Sequence, residues 1–375
     1  MKINKLVFKD EERKLFDFLF DIKSPSTDII FDIYELSKRN GLDFLFLTQI
    51  ERSSFDTSLI EKFKNEKFET IARRTQIENF RKIAISEFAN IGKPFTVLKG
   101  FAVSRVFYDN PIDRGYSDID ILVNKDDFEI FHNYLISSGY VLGVGWNSEP
   151  LIKQCSYVKE IGKFRLEIDL HSKISSDFAI NKALPNYLFC HESIGFKFKD
   201  FTINFPSKNI LIIHSFVHLI SHINKGNLIK LIWVYDLLKM LQSLDKEEIE
   251  ILKEKICKLR LSYIYEKTLD FLSLNFSMFD FSIYRIDCNI CSSNQELKHL
   301  TKNISGFGFL LNNIIYSDSI KEGLVFLLLT IFPPKIVLEK KYNRKFTSRL
   351  SLYYFYAYRA FSSIKRYSGQ QYEIK

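Results

Sequence analysis

The sequence predicts an α+β protein in which a short β-rich centre lies between helical flanks. Three observations carry this. Residues 1–90 show helical spacing of apolar side chains and few breakers. Residues 91–205 hold the strand-like pieces Phe95–Leu98, Ile121–Val123 and Phe164–Leu170. From residue 206 the pattern becomes helical again, giving a helical C-terminal domain. The expected domain division is therefore 1–90, 91–205 and 206–375.

In the N-terminal region, Phe16, Leu19 and Phe20 form a helical stripe, and Asp28–Lys38 and Gly41–Ile50 read as short helices. Ser58–Asn90 reads as one or two amphipathic helices whose apolar positions include Ile60, Phe63, Phe80 and Ile85. The cations Arg73, Arg74, Arg81 and Lys82 along it read as a solvated face, with a nucleic-acid patch as the functional alternative. Ile91-Gly-Lys-Pro94 stops the helix and turns the chain.

The centre is organised around Phe95–Val123. An apolar strand ends at Lys99-Gly100, where the glycine is expected to let the backbone turn into a helix, Phe101–Tyr108. A helix N-terminus there suits a phosphate oxygen, and Lys99 adds a point charge. A turn-rich loop, Asp109–Ser117, then delivers Asp118-Ile119-Asp120 to the next strand. Residues two apart on a strand share a face, so Asp118 and Asp120 stand roughly 7 Å apart at their Cα atoms. Two carboxylates at that spacing suit a divalent cation of the kind used in phosphoryl transfer, although aspartates also simply open strands. Arg114 is placed to bind a phosphate, to pair with Asp118, or to fix the loop.

Asn124 and Asp126-Asp127 open the following helix, with Phe128, Phe131 and Leu135 buried and Gly139 ending it. Strands are expected at Tyr140–Val144 and Gln154–Lys159, a loop at Trp146–Lys153 and a hairpin turn at Gly162. In Lys163–Ser172 the apolar residues alternate with Arg165, Glu167, Asp169 and His171. That face offers a third carboxylate, Asp169 in preference to Glu167. Residues 173–205 read as irregular.

Ile210–Ile223 is apolar nearly all round and should be a buried helix. His214, His218 and His222 fall on one stripe of it. They read as a metal set, as nucleotide contacts, or as satisfied core histidines. Asp236 lies among apolar residues and needs a partner, expected to be one of these histidines or a lysine. The tail, Arg349–Lys365, mixes aromatic and basic residues; it reads as packing on its own domain, with an interfacial membrane helix as the alternative.

The net charge of +8 over 375 residues permits an anionic partner without specifying one. Five scattered cysteines argue against a disulfide framework and for a reducing compartment. Cys288-Asn-Ile-Cys291 with His299 is short of a zinc ligand set. No signal peptide is evident, and the longest apolar run, Gly323–Pro333, is too short to span a bilayer, so a cytoplasmic location is expected.

Taken together, Leu98-Lys99-Gly100, Tyr108, Pro111, Arg114, Ser117–Val123, Ser138-Gly139-Tyr140, Glu167–His171 and His214–His218 after Pro206 resemble an uncharacterised nucleotidyltransferase family of the DNA polymerase beta-like superfamily. The likeness covers roughly residues 60–240. It departs from the wider superfamily in having Lys99-Gly100-Phe101 where Gly-Gly or Gly-Ser is usual. The resemblance implies a small mixed sheet flanked by helices, two Mg²⁺ (or Mn²⁺) ions held by Asp118, Asp120 and Asp169, and transfer of an NMP from an NTP such as ATP. It implies nucleotide contacts from Lys99, Gly100, Arg114, Ser117, His171 and His218. The acceptor is open between a small molecule, a peptide, a protein and RNA. Two rival expectations are a nucleotide- or partner-binding protein without turnover and a metal-dependent hydrolase built on the histidine stripe.

Overall fold

The computed structural model describes residues 7–143, 154–175, 177–198, 201–224, 228–286, 306–317, 319–342 and 344–367. The expected loop at 146–153, Cys288, Cys291 and His299 lie outside them. The fold is α+β, with one seven-stranded mixed sheet.

Four helices precede the sheet: α1 (Asp10–Leu19), α2 (Ile30–Arg39), α3 (Asp43–Arg52) and α4 (Thr57–Ala89). The stretch expected to give one or two helices is a single helix of 33 residues. Asp56 caps it by accepting from the Leu59 amide at 2.9 Å, satisfying one of the free N–H groups at its start. Its buried face is apolar at both ends, with Leu59 and Phe63 at one and Ile85 and Phe88 at the other. Between them it is polar, with Arg74, Glu78 and Arg81. The expected solvated face is therefore in part an inward one: residues spaced four and three apart share a side of the helix, and here that side faces the loop at 109–117.

The chain then runs β1 (Phe95–Leu98), α5 (Lys99–Val106), a single 3-10 turn at Pro111–Asp113, β2 (Asp118–Val123), α6 (Phe128–Ser137), β3 (Val141–Leu142), β4 (Gln154–Ile161) and β5 (Phe164–His171). The region expected to be irregular instead folds as α7 (Phe178–Ala183), α8 (Asn186–His191) and a hairpin of β6 (Ser193–Phe198) and β7 (Phe201–Pro206). The sheet order is β3-β4-β5-β2-β1-β7-β6. β2 pairs antiparallel with β1 and parallel with β5, so both central neighbours of the acidic strand are fixed. The helical remainder comprises α9 (Lys208–Asn224), α10 (Leu231–Gln242), α11 (Lys246–Lys258), α12 (Ser262–Asn275), α13 (Gly306–Ile315), α14 (Ile320–Ile331), α15 (Lys335–Tyr342) and α16 (Arg349–Tyr367).

One apolar core runs through residues from Phe8 to Ile286, so the N-terminal helices, the sheet and α9–α12 share a single interior. Phe8 and Phe16 of the first segment pack on Phe276 of the last at 5.6 and 4.8 Å between ring centroids. Gly41, after α2, touches the loop before β2 backbone to backbone: the Gly115 amide donates to the Gly41 carbonyl at 3.3 Å. A Cβ on Gly115 would lie 2.8 Å from that oxygen. Among the described residues Cys155 is a buried and Cys190 an exposed thiol.

Candidate active site

Strand register assembles the acids. Asp120 on β2 stands opposite Asp169 on β5, and Asp118 opposite Glu167, so all four carboxylates share one face of the sheet. Glu167 is taken up by Ser156 (2.9 Å) and Arg165 (3.2 Å). Asp169 is the carboxylate nearer to the centre. Asp120, Asp169 and His171 each offer a ligand atom within 4.8 Å of the others, the one such group among the described residues. His171 joins because it is the next residue on that face of β5, and its Nε2 lies 2.9 Å from Asp120 Oδ1. Asp118 stands beside this group without being part of it. Alternation along β5 was the signal that could have promoted His171 from a nucleotide contact to a member of the acidic cluster.

The cluster is electrostatically uneven. Burial alone would push Asp120 up, but the Lys99 ammonium and His171 beside it hold it well below the usual carboxylate range. Lys99 Nζ is 2.5 Å from Asp120 Oδ1, and despite burial its own pKa is raised by the surrounding carboxylates. Asp118 and Asp169 are both pushed up, first by burial and then by the Asp120 charge. Asp169 Oδ1 and His171 Nδ1 are buried with no hydrogen-bond partner in the structure.

Lys99 reaches Asp120 from an unusual backbone. It opens α5 at φ +46°, the left-handed region that costs a residue with a Cβ about 1 kcal/mol. The turn thus falls on Lys99 rather than on Gly100. Gly100 is bare for another reason: a Cβ there would meet Arg114 Nη1 at 2.6 Å and Tyr116 Cβ at 2.9 Å.

The loop before β2 is held from two sides. Arg74 of α4 donates to the carbonyls of Ile112 (2.6 Å) and Asp113 (3.1 Å) and pairs with Asp43. Arg81 donates to the Tyr116 carbonyl at 2.6 Å and lies over the Tyr116 ring at 3.9 Å. The Tyr116 hydroxyl donates to Glu78, which also pairs with Arg105. From the opposite side, Arg114 Nη2 donates to Asp236 Oδ2 at 2.6 Å and Nε is 3.0 Å from each carboxylate oxygen. Tyr108 donates to the same carboxylate at 2.7 Å. The expected partner of Asp236, a histidine or lysine, is instead Arg114, and Arg114 is paired with neither Asp118 nor an open face. Ser117 is exposed, its hydroxyl 3.2 Å from Asp118 Oδ1.

The histidine stripe forms no metal group among the described residues. His218 and His222 pack against Trp233 at 4.6 and 4.7 Å, and His214 packs edge-on to Phe189 at 5.4 Å. Burial lowers His214 to about 3, aided by the Lys99 charge, and burial likewise holds His218 well below the ordinary value. The His214 and His218 rings are therefore neutral at neutral pH.

A cleft of about 560 Å³ opens beside the acids. Asp118, Asp120, Lys99, Gly100, Arg114 and Ser117 line one side, and Arg73, Lys163, Arg165, Lys230, His218 and Trp233 line the remainder. Its cationic side chains outnumber its acids two to one, which suits a polyanion.

Acidic side chains thus meet on adjacent central strands, two of them lining a basic cleft beside the start of α5. The chain belongs to the family of uncharacterised nucleotidyltransferases, whose pattern matches residues 30–277. No curated protein matches the chain.

Proposed function

We propose that this protein is a metal-dependent nucleotidyltransferase that moves an NMP from an NTP to a hydroxyl of an acceptor. The observation that carries the reading is the facing pair Asp120 and Asp169, with Asp118 on the same face, where Asp118 and Asp120 line the basic cleft and Asp169 stands beside Asp120 on the neighbouring strand. The donor set fits a hard divalent cation: it is carboxylate-rich, and Asp169 Oδ1 is buried with nothing bonded to it. Asp118, Asp120 and Asp169 would hold Mg²⁺ or Mn²⁺, with His171 beside them. Such ions, when bound, neutralise the triphosphate and favour ionisation of the attacking hydroxyl.

The chain's own groups supply the rest. Asp118 and Asp169, both raised by burial and by Asp120, are the carboxylates that could accept a proton from the acceptor hydroxyl. Lys99 and the first amides of α5 border the cleft and would meet the phosphates, the ammonium offsetting charge that builds during in-line displacement at the α-phosphate. His171 orients Asp120, and Trp233 and His218 give the cleft an aromatic wall. Arg114 and Asp236 hold the loop that aims Asp118.

The test is incubation of purified protein with each labelled NTP, Mg²⁺ and cell extract, following label transfer and pyrophosphate release. Transfer lost in Asp120→Asn and in Asp169→Asn, with both variants folded, supports the reading. NTP binding without pyrophosphate release would establish a binding protein instead.

A further inference from the structure

The family match ends at residue 277, and the helices beyond it carry an unusual surface. Among the described residues α14 is docked by one side. Phe326 packs on Phe178 of α7 at 5.1 Å, Glu322 pairs with Lys173 at 3.0 Å, and Asn313 of α13 accepts from the Phe178 amide at 2.8 Å. The other side of α14 presents Ile320, Leu324, Leu328 and Ile331, spaced as one helical stripe and 82%, 51%, 55% and 36% exposed. Leu311 and Ile315 extend the exposed apolar surface onto α13. At the far end Phe332 meets Tyr356 of α16 at 5.4 Å, and α16 exposes Leu350, Tyr353, Tyr354 and Tyr358. A run of exposed aliphatic and aromatic side chains this long is not left to water without a partner.

The charge says which partner. Residues 335–375 contain ten Lys and Arg against Glu339 and Glu373. This segment therefore carries a net charge equal to the +8 of the whole chain. Lys335, Arg344, Lys345 and Arg349, between the end of α14 and the start of α16, are all exposed. A second copy would bring an equal positive charge against this one, whereas an anionic bilayer neutralises it. Aliphatic side chains for the acyl boundary, tyrosines for the headgroup level and cations for anionic headgroups are what a surface-lying membrane contact requires. No helix among the described residues is long and apolar enough to cross a membrane. We propose that the α13–α16 region docks this protein on the surface of an anionic phospholipid bilayer, with the α14 stripe set into it.

The test uses the full chain with vesicles of phosphatidylcholine alone or mixed with phosphatidylglycerol, separated by sedimentation. The protein should pellet with the anionic vesicles, stay in solution with the neutral ones and be released by salt. Leu324→Glu with Leu328→Glu, and separately Lys345→Glu with Arg349→Glu, should each reduce binding by about tenfold or more with unchanged circular dichroism. These side chains lie outside the cleft, so nucleotide binding should persist in both. Failure to pellet with anionic vesicles, or binding that the α14 pair leaves intact, would overturn the proposal. So would a dimer in sedimentation velocity that the α14 pair dissociates, which would assign the stripe to a second copy.

Discussion

Arg114 and Asp236, 122 residues apart, meet as a buried ion pair that ties the loop before β2 to α10. Breaking such a pair leaves one charge desolvated and alone, which costs about 3–5 kcal/mol. Arg114→Met should lower the unfolding free energy by that order in urea denaturation, and Arg114→Lys should recover part of it. An Arg114→Met protein of unchanged stability that has lost only NTP affinity would return the guanidinium to a phosphate-binding role.

The acidic cluster makes a graded prediction. Asp120→Asn and Asp169→Asn should each lower transfer by roughly a thousandfold or more, since they remove charge at the reacting centre. Asp120→Asn should also destabilise the fold, because it strips Lys99 of its counter-charge, whereas Asp169→Asn should leave stability near the wild-type value or above it. Paramagnetic Mn²⁺ titration alongside thermal unfolding separates the two effects.

Arg81 ties α4 to the carbonyl of Tyr116, two residues before Asp118. Arg81→Met should cost about 1–3 kcal/mol for the lost charged hydrogen bond and lower kcat by about tenfold or more through displaced acids. A shift in the metal dependence of the rate is the readout that simple destabilisation would not produce.

The buried histidines predict acid lability. His214 titrates near 6.5 when unfolded and at about 3 in the fold, so unfolding takes up a proton between those values. Its folded pKa is the lower one, so its contribution is complete above about 6.5 and is lost as pH falls toward 3. The groups it faces electrostatically are Lys99, Asp120 and His171. His214→Gln should flatten the fall in stability over that interval; an unchanged slope in chemical denaturation would contradict it.

What could be read from the residues was whatever has a short period. Alternation put Asp118 and Asp120 on one face of their strand and Asp169 on the polar face of another, and helical spacing located the flanks; only the register between the two strands brings the three together. The α4 charges were harder. Arg74, Glu78 and Arg81 look like an outer face because charged residues on helices usually meet water, and only the loop packed against them reverses this. The β6–β7 hairpin was missed although Phe201, Ile203 and Phe205 alternate with Thr202 and Asn204; the strand that β7 joins, at Thr96, lies over a hundred residues away in sequence and gives no local signal. Pairings such as Arg114 with Asp236 carry no local signature at all.

The contact between Gly41 and Gly115 bears on how the protein can be cut apart. Two main chains that touch directly have no side chain to shorten or reshape, so neither partner can drift without carrying the other. A fragment starting near residue 91 would lose Gly41 along with the two arginines of α4 that brace the loop. The smallest piece worth expressing therefore begins ahead of α2, since the helices in front of the sheet share its apolar interior and brace the loop before β2.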